Sequence, residues 1–231
     1  MNIVVTGASR GIGYQLVKLF SANAVNTIVA ISRNAKRLEV LKSECVNGNV
    51  KIIPFDLSDT YSLKSDLASL VQDAFPSVDI LINNAGQLVN KTFNQISSED
   101  FDLCYNVNIK SPFFTIQSLM PVFSEKAHIL NISSMGGVQG SVKFPGLSAY
   151  SSSKGAIAIL TECLAEEYKE TNWRFNCLAI GAAQTEMLEE ALPGYKAPLS
   201  AEEMAKFIAK FATEDGKYFN GKVLAVASTT P

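Results

Sequence analysis

The stretch Ile3-Val4-Val5-Thr6-Gly7-Ala8-Ser9-Arg10-Gly11-Ile12-Gly13 decides how the rest of the chain is read. Its β-branched run, Ile3, Val4 and Val5, predicts a buried strand that breaks at Thr6-Gly7 into a turn, and Tyr14 to Asn23 follows with helical character. The start of a helix carries unpaired N–H groups and roughly half a unit of positive charge, so an anion settles there when no side chain stands in the way. Gly7 permits the tight exit from the strand, Gly11 lets backbone approach a diphosphate, and Gly13 lets helix and strand pack closely. The spacing is G-x-x-x-G-x-G rather than the commoner G-x-G-x-x-G, and no Gly-Lys-Ser/Thr follows as a Walker loop requires. Alone, such a cluster is also compatible with a plain tight loop.

The bulk numbers fit small-molecule chemistry. With 231 residues, 47% of them hydrophobic, the chain is read as one domain, residues 1–231. A net charge of −2 and 18% charged residues, with no Lys/Arg run, give no electrostatic footprint for nucleic acid or an anionic membrane. No apolar run of about 18 residues is present and the chain opens directly on a strand, which predicts a cytoplasmic protein. Cys45, Cys104, Cys163 and Cys177 form no C-x-x-C pair, and His128 is the only histidine, so no metal site is expected and His128 is assigned a structural role.

Outward from the glycine turn, strands are expected at Asn26 to Ser32, Val50 to Phe55, Val78 to Ile82, His128 to Ile132, Arg174 to Ile180 and Lys222 to Ala227. Helices alternate with them at Ala35 to Cys45, Tyr61 to Ala74, from Ser97 with a kink or break at Pro112, from Ser148 to about Lys169, and from Ala201 to Ala212. Seven strands alternating with helices predict an α/β fold, a Rossmann-like doubly wound, mostly parallel sheet with helices on both faces. In such folds the second strand usually ends in Asp or Glu, which accepts hydrogen bonds from the adenosine ribose; here Ser32-Arg33-Asn34 stands in its place. Without that acid, Arg33, helped by Arg10, can pair with a 2′-phosphate, so NADP(H) is favoured over NAD(H); two solvated surface arginines are the alternative. At other strand ends, Asp56 is a candidate for the adenine amino group and Asn83 for holding the strand edge.

Tyr150-Ser-Ser-Ser-Lys154 sets a phenol and an ammonium one helical turn apart on one face. A nearby positive charge is expected to lower the tyrosine's pKa and make it a general acid or base near neutral pH. Ser134, at the end of the preceding strand, offers a hydroxyl for a substrate oxygen beside Tyr150. Tyr and Lys are common helix residues, so it is the position of this pair after a Ser-Ser strand end that gives it weight.

Taken together, T-G-A-S-R-G-I-G (Thr6 to Gly13), D-L (Asp56, Leu57), N-N-A-G (Asn83 to Gly86), V-N (Val107, Asn108), I-S-S (Ile132 to Ser134), Y-S-S-S-K (Tyr150 to Lys154) and I-G-A-A-Q-T (Ile180 to Thr185) run in order over nearly the whole chain. In this the chain resembles the single-domain short-chain dehydrogenase/reductase family. The resemblance implies that Tyr150 exchanges a proton with a carbonyl or alcohol oxygen, Lys154 tunes it and binds the nicotinamide ribose, and Ser134 polarises the carbonyl. It further implies that Asn108 bends its helix and holds a water linking Lys154 to solvent, and that Thr185 holds the carboxamide. The implied catalytic set is Asn108, Ser134, Tyr150 and Lys154. The implied cofactor-binding set is Gly7, Ser9, Arg10, Gly11, Ile12, Gly13, Arg33, Asp56, Leu57, Asn83, Ala85, Gly86, Tyr150, Lys154, Gly181 and Thr185.

Three departures from the family pattern stand out. Ile180-Gly181 replaces Pro-Gly, the loop from Ser134 to Tyr150 is about three residues long beyond the common form, and the terminal Gly221 to Pro231 lacks a Val-Asp-Gly-Gly ending. The segment Glu186 to Ser200, with Met187, Leu188, Leu192, Pro193 and Tyr195, is a plausible apolar lid. Ala149, Gly155, Ala156 and Ala158 suit close packing against a symmetry mate, and by resemblance a homodimer or homotetramer is expected. The function expected is NADP(H)-dependent reduction of an aldehyde or ketone; the alternative is a catalytically silent NADP(H) sensor or interaction protein.

Overall fold

In a computed structural model describing residues 1–227, the run Ile3 to Val5 lies inside β1 (Asn2–Thr6), which has a parallel neighbour on each side. Its side chains alternate between two cores, with Ile3 and Val5 on one face of the sheet and Val4 on the other. The same alternation divides Ile28 and Ala30 from Val29 and Ile31 in β2 (Thr27–Ser32), and Ile80 and Ile82 from Leu81 in β4 (Val78–Asn83). A strand buried on both faces must be apolar throughout, which is why these runs carry no polar alternation.

With β3 (Val50–Pro54), β5 (Phe123–Ser134), β6 (Arg174–Ile180) and β9 (Lys222–Val226), these strands form a parallel seven-stranded sheet in the order β3-β2-β1-β4-β5-β6-β9. This is the doubly wound, Rossmann-like sheet expected from the sequence. The strand order reverses between β1 and β4, and such a switch point opens a crevice at the carboxyl ends of the strands. A separate parallel pair joins β7 (Ala183–Gln184) to β8 (Leu199–Ser200).

Helices α1 (Gly11–Ser21), α2 (Ala35–Glu44) and α9 (Ala201–Thr213) cover one face through Leu16, Leu38, Leu41, Ile208 and Phe211. The other face is covered by α3 (Thr60–Ser65), α4 (Leu67–Gln72), α6 (Ser111–Leu119) and α7 (Ser148–Glu167), with α5 (Ser98–Tyr105) packed on α7. The short α8 (Glu186–Ala191) lies in the expected lid. Among the described residues no helix is long and apolar enough to cross a membrane.

Several boundaries differ from the sequence reading. The helix expected over Tyr61 to Ala74 divides at Asp66 into α3 and α4, although Leu63, Leu67 and Val71 keep one buried face through the break. Pro112 does not end its helix but sits in the first turn of α6; the irregularity precedes it, as a π turn over Asn106–Lys110. A proline ring lacks the N–H that would bond to the carbonyl four residues back and crowds that carbonyl, here Asn108, so the helix widens there. Some of the small residues on α7 are used within the chain: Ala149 and Ala158 are buried, and a Cβ on Gly155 would stand 3.2 Å from Gly137 O. The last strand ends at Val226, and the atypical ending Ser228 to Pro231 lies outside the described residues.

Candidate active site

The glycine turn is held by residues on either side of it. Thr6 Oγ1 accepts from Asn84 N at 3.1 Å and Ala85 N at 3.0 Å, while Asn84 Nδ2 donates back to Thr6 O at 3.0 Å. Gly7 and Gly11 have φ of 68° and 59°, the left-handed region that glycine takes without strain. A Cβ on Gly13 would stand 2.4 Å from Gly7 O, so α1 approaches the turn to a distance only glycine allows. The N-termini of α2, α3, α5, α8 and α9 are capped by side chains of Asn34, Asp59, Ser97, Thr185 and Ser200, but α1 has no side-chain cap and no acid in its first turn. These residues fit the diphosphate of a dinucleotide, because bare N–H groups at the head of an eleven-residue helix await an anion.

A cleft of about 500 Å³ runs from that turn across the carboxyl edge of the sheet. Fourteen predicted cofactor positions line it: Gly7, Ser9, Arg10, Gly11, Ile12, Arg33, Asp56, Leu57, Ala85, Gly86, Gly181 and Thr185 with Tyr150 and Lys154, and beside these two stands Ser134. At the end of β2, Ser32 Oγ donates to Ser9 Oγ at 2.8 Å where other dinucleotide folds place an acid. Three predicted residues lie behind the wall instead. Gly13 serves packing, and Asn108 is buried beneath the cleft. Asn83, expected among the cofactor contacts, is corrected to an internal role: it is 6% exposed and its Nδ2 donates to Asn131 Oδ1 at 2.9 Å. Asn131 Nδ2 in turn donates to Thr161 Oγ1 of α7 at 2.9 Å, which satisfies polar groups within the sheet.

Of the two serines at the end of β5, Ser133 donates its hydroxyl to Lys154 O at 2.6 Å and is buried, whereas Ser134 accepts from Gly136 N at 3.2 Å and lines the cleft with Tyr150. Lys154 Nζ donates to Ile132 O at 2.9 Å and lies 6.0 Å from the Tyr150 ring centre. Burial pushes the Lys154 amine down to about 8. The expectation that Lys154 lowers the Tyr150 pKa is corrected: burial raises the phenol, and the Ser134 hydrogen bond only partly opposes it. Desolvation outweighs an ammonium that is held by Ile132 O 6.0 Å from the ring centre. Tyr150 therefore keeps its proton in the free protein.

Asn108 sits in the π turn. Its Oδ1 accepts from Gln87 N at 2.8 Å, and its Nδ2 donates to Gln87 O at 2.8 Å and Ser153 Oγ at 2.9 Å. A Cβ on Gly86 would stand 3.6 Å from both Asn108 Oδ1 and Lys154 Nζ, so the two polar atoms face one small space. The remaining wall is apolar, with Leu88, Met135, Phe144, Leu147, Met187, Leu188, Leu192 and Tyr195, four of them from the expected lid.

Sequence reasoning missed the pairing of the arginines. Arg10 pairs with Glu190, and Glu186 Oε2 lies 3.5 Å from Arg10 Nη1 and 2.8 Å from Arg37 Nη1. The guanidinium of Arg10 holds the Glu190 carboxyl below its usual range. No local signal links positions so far apart in sequence. Thr6, Asn84 and Ser153 were missed too, although all three stand inside motifs already noted.

Comparison with known proteins agrees with this geometry. A family model described as short chain dehydrogenase matches residues 1–196. The chain belongs to the short-chain dehydrogenase family. This short-chain dehydrogenase is 26% identical over 213 residues to an uncharacterized oxidoreductase of Staphylococcus aureus, covering 91% of this chain and 90% of that one. It is 29% identical over 238 residues to the 3-oxoacyl-(acyl-carrier-protein) reductase FabG of Thermotoga maritima, covering 96% and 94%. Among solved structures, a dehydrogenase/reductase of Sinorhizobium meliloti superposes with a TM-score of 0.87 at 26% identity, over 98% of this chain and 93% of that one. A short-chain dehydrogenase/reductase variant of Serratia marcescens gives 0.86 at 27% identity, over 98% and 96%. The protein is thus an oxidoreductase of a family that uses nicotinamide cofactors.

Proposed function

We propose that this short-chain dehydrogenase reduces an uncharged, apolar aldehyde or ketone with NADPH, and oxidises the matching alcohol in reverse. The observation that carries this reading is the meeting of Ser134, Tyr150 and Lys154 on one wall of a cleft whose other end is the bare glycine turn. The head of α1 would hold the diphosphate, Asp56 and Leu57 the adenine, and Lys154 the nicotinamide ribose. Gly181 and Thr185 would flank the carboxamide. A nicotinamide bound there supplies or accepts the hydride.

Each polar side chain then has a task. The Ser134 hydroxyl donates to the substrate oxygen and fixes it beside Tyr150. Tyr150, kept protonated by burial, donates its phenolic proton to that oxygen as the carbonyl is reduced. Lys154, with an amine brought down to about 8, returns a proton toward Tyr150 near neutral pH. Asn108 Oδ1 has acceptor capacity left beside Lys154 and would hold a water on the route to solvent. The lid and opposite wall are apolar, and among the described residues none but Lys154 places a cationic side chain there, which favours a neutral substrate over a carboxylate.

Arg33, exposed at the end of β2, and Arg10 support the preference for NADPH, with no acid at Ser32 to repel a 2′-phosphate. Exposed Phe101, Leu103, Phe113 and Ile159 on α5, α6 and α7 favour assembly into a homodimer or homotetramer, which light scattering would measure. Fluorescence titrations with NADPH and NADH, followed by NADPH oxidation over a panel of neutral and anionic carbonyl compounds, test the reading. Tighter NADPH binding and turnover of neutral members are expected, and Arg33→Ala should weaken NADPH more than NADH. Binding without turnover on any member would overturn the reductase reading.

A further inference from the structure

The arginine–carboxylate cluster above the glycine turn has no part in the chemistry described so far. Arg10 lines the cleft beside Ser32 and Arg33, yet its guanidinium is engaged by Glu190 and touched by Glu186. One oxygen of Glu186 also meets Arg37 in the first turn of α2. Both acids belong to α8, in the lid segment. These pairs stand in solvent, with Glu186 and Glu190 side chains 51% and 62% exposed, and such pairs hold weakly. A phosphate monoester brings nearly two charges and three acceptor oxygens, and a guanidinium fork binds it in two places. In a contest for the same arginines the phosphate wins.

We propose that Glu186 and Glu190 are specificity-determining residues, which occupy Arg10 in place of an adenosine 2′-phosphate, with Glu186 held there by Arg37. NADP(H) must displace them to reach its arginines, whereas NAD(H) leaves them in place. The inference rests on the reading that a 2′-phosphate sits beside Arg10 and Arg33. The pairs also tie α8 to α1 and α2, so displacement of the acids frees the lid helix. The group that marks the cofactor thus acts on the segment that faces the substrate.

The test is a set of fluorescence titrations with NADPH and NADH on the native protein, on Glu186→Gln/Glu190→Gln and on Glu189→Gln. Glu189 carries the same charge on the same helix, but its carboxylate bonds to Gln184 and Gly194 and touches neither arginine. The double variant should raise the ratio of NADPH to NADH affinity about threefold to tenfold, and Glu189→Gln should leave it unchanged. An unchanged ratio in the double variant, an equal gain for both cofactors, or the same shift in Glu189→Gln overturns the inference. The native ratio reports separately on cofactor preference: a native protein that favours NADH sinks that preference, while the change on substitution still decides the role of the two acids.

Discussion

Asn108 Nδ2 donates to Ser153 Oγ at 2.9 Å, and through this bond the π turn is fastened to the helix that carries Tyr150 and Lys154. Ser153 Oγ donates in turn to the Tyr150 backbone carbonyl at 2.7 Å, so the three residues form one continuous chain of hydrogen bonds. Asn108→Ala removes three hydrogen bonds, leaving Gln87 N without its acceptor and Gln87 O with only the long contact from Cys104 Sγ at 3.9 Å. It should cost roughly 2–4 kcal/mol in urea unfolding and lower kcat by about one to two orders of magnitude. Ser153→Ala breaks only the connection and should cost about 1 kcal/mol.

Tyr150→Phe keeps the ring and removes the proton. Turnover should fall by about three orders of magnitude, with NADPH affinity within about threefold of native, because the diphosphate and adenosine contacts are untouched. Full activity in Tyr150→Phe would show that the proton comes from elsewhere.

Lys154 is 5% exposed and its amine is held down at about 8, which marks a burial cost for the charged form. The unfolded chain binds this proton up to a pKa near 10.5, so the cost is complete below pH of about 8 and fades as the pH rises toward 10.5. Lys154→Met should therefore stabilise the protein at pH 7 by roughly 1–3 kcal/mol while abolishing turnover, and the gain should vanish above pH of about 10.5. Urea unfolding at the two pH values measures it; a variant less stable than native at pH 7 would contradict the assignment.

Thr6 Oγ1 accepts from both Asn84 N and Ala85 N, and Asn84 N also donates to Ile82 O at 3.0 Å. Thr6→Val preserves the shape of β1 but leaves Ala85 N without its acceptor and Asn84 N with Ile82 O alone, at a cost of roughly 1–3 kcal/mol, and should weaken dinucleotide binding by loosening the glycine turn. Thr6→Ser restores the acceptor and should restore affinity, as isothermal titration would show.

His128 joins β5, β6 and the end of α9. Its Nδ1 lies 3.0 Å from Ala212 O, which can only accept, so Nδ1 carries the proton and Nε2 accepts from Asn176 Nδ2 at 3.1 Å. Burial pushes the imidazole down to about 4 from 6.5. Below pH of about 6.5 the unfolded chain takes up a proton that the folded chain refuses, so stability present above that pH falls by about 3 kcal/mol as the pH drops to about 4. His128→Gln should flatten that slope in urea unfolding measured from pH 7.5 to 4.5.

The parts of this fold that were legible in the sequence are those whose cause is local. Gly7, Gly11 and Gly13 announce a bare helix start because no other residue satisfies the geometry, and Ser97 caps the helix expected to begin there. Tyr150 and Lys154 share a face through helical spacing alone. What was not legible arises from contacts distant in sequence. The raised phenol of Tyr150 depends on walls contributed by several loops, the engagement of Arg10 depends on a helix 176 residues away, and the seat of Asn83 depends on Asn131. The π turn lies between: Pro112 signalled a disturbance, but the clasp of Asn108 on Gln87 fixed where it falls.

The small parallel pair of β7 and β8 has a consequence for how such a chain diversifies. Ala183 pairs with Leu199 and Gln184 with Ser200, so residues 185–198 leave from and return to a stapled base. Below the staple, Ser200 caps α9 against α1, and the sheet has no stake in what lies above it. A segment of different length can be grafted onto the same two anchors with little effect on folding, since doubling a loop adds only about 0.6 kcal/mol of closure cost. The staple makes the stretch beyond Thr185 an exchangeable cassette, through which new substrate ranges can be tried without renegotiating the scaffold.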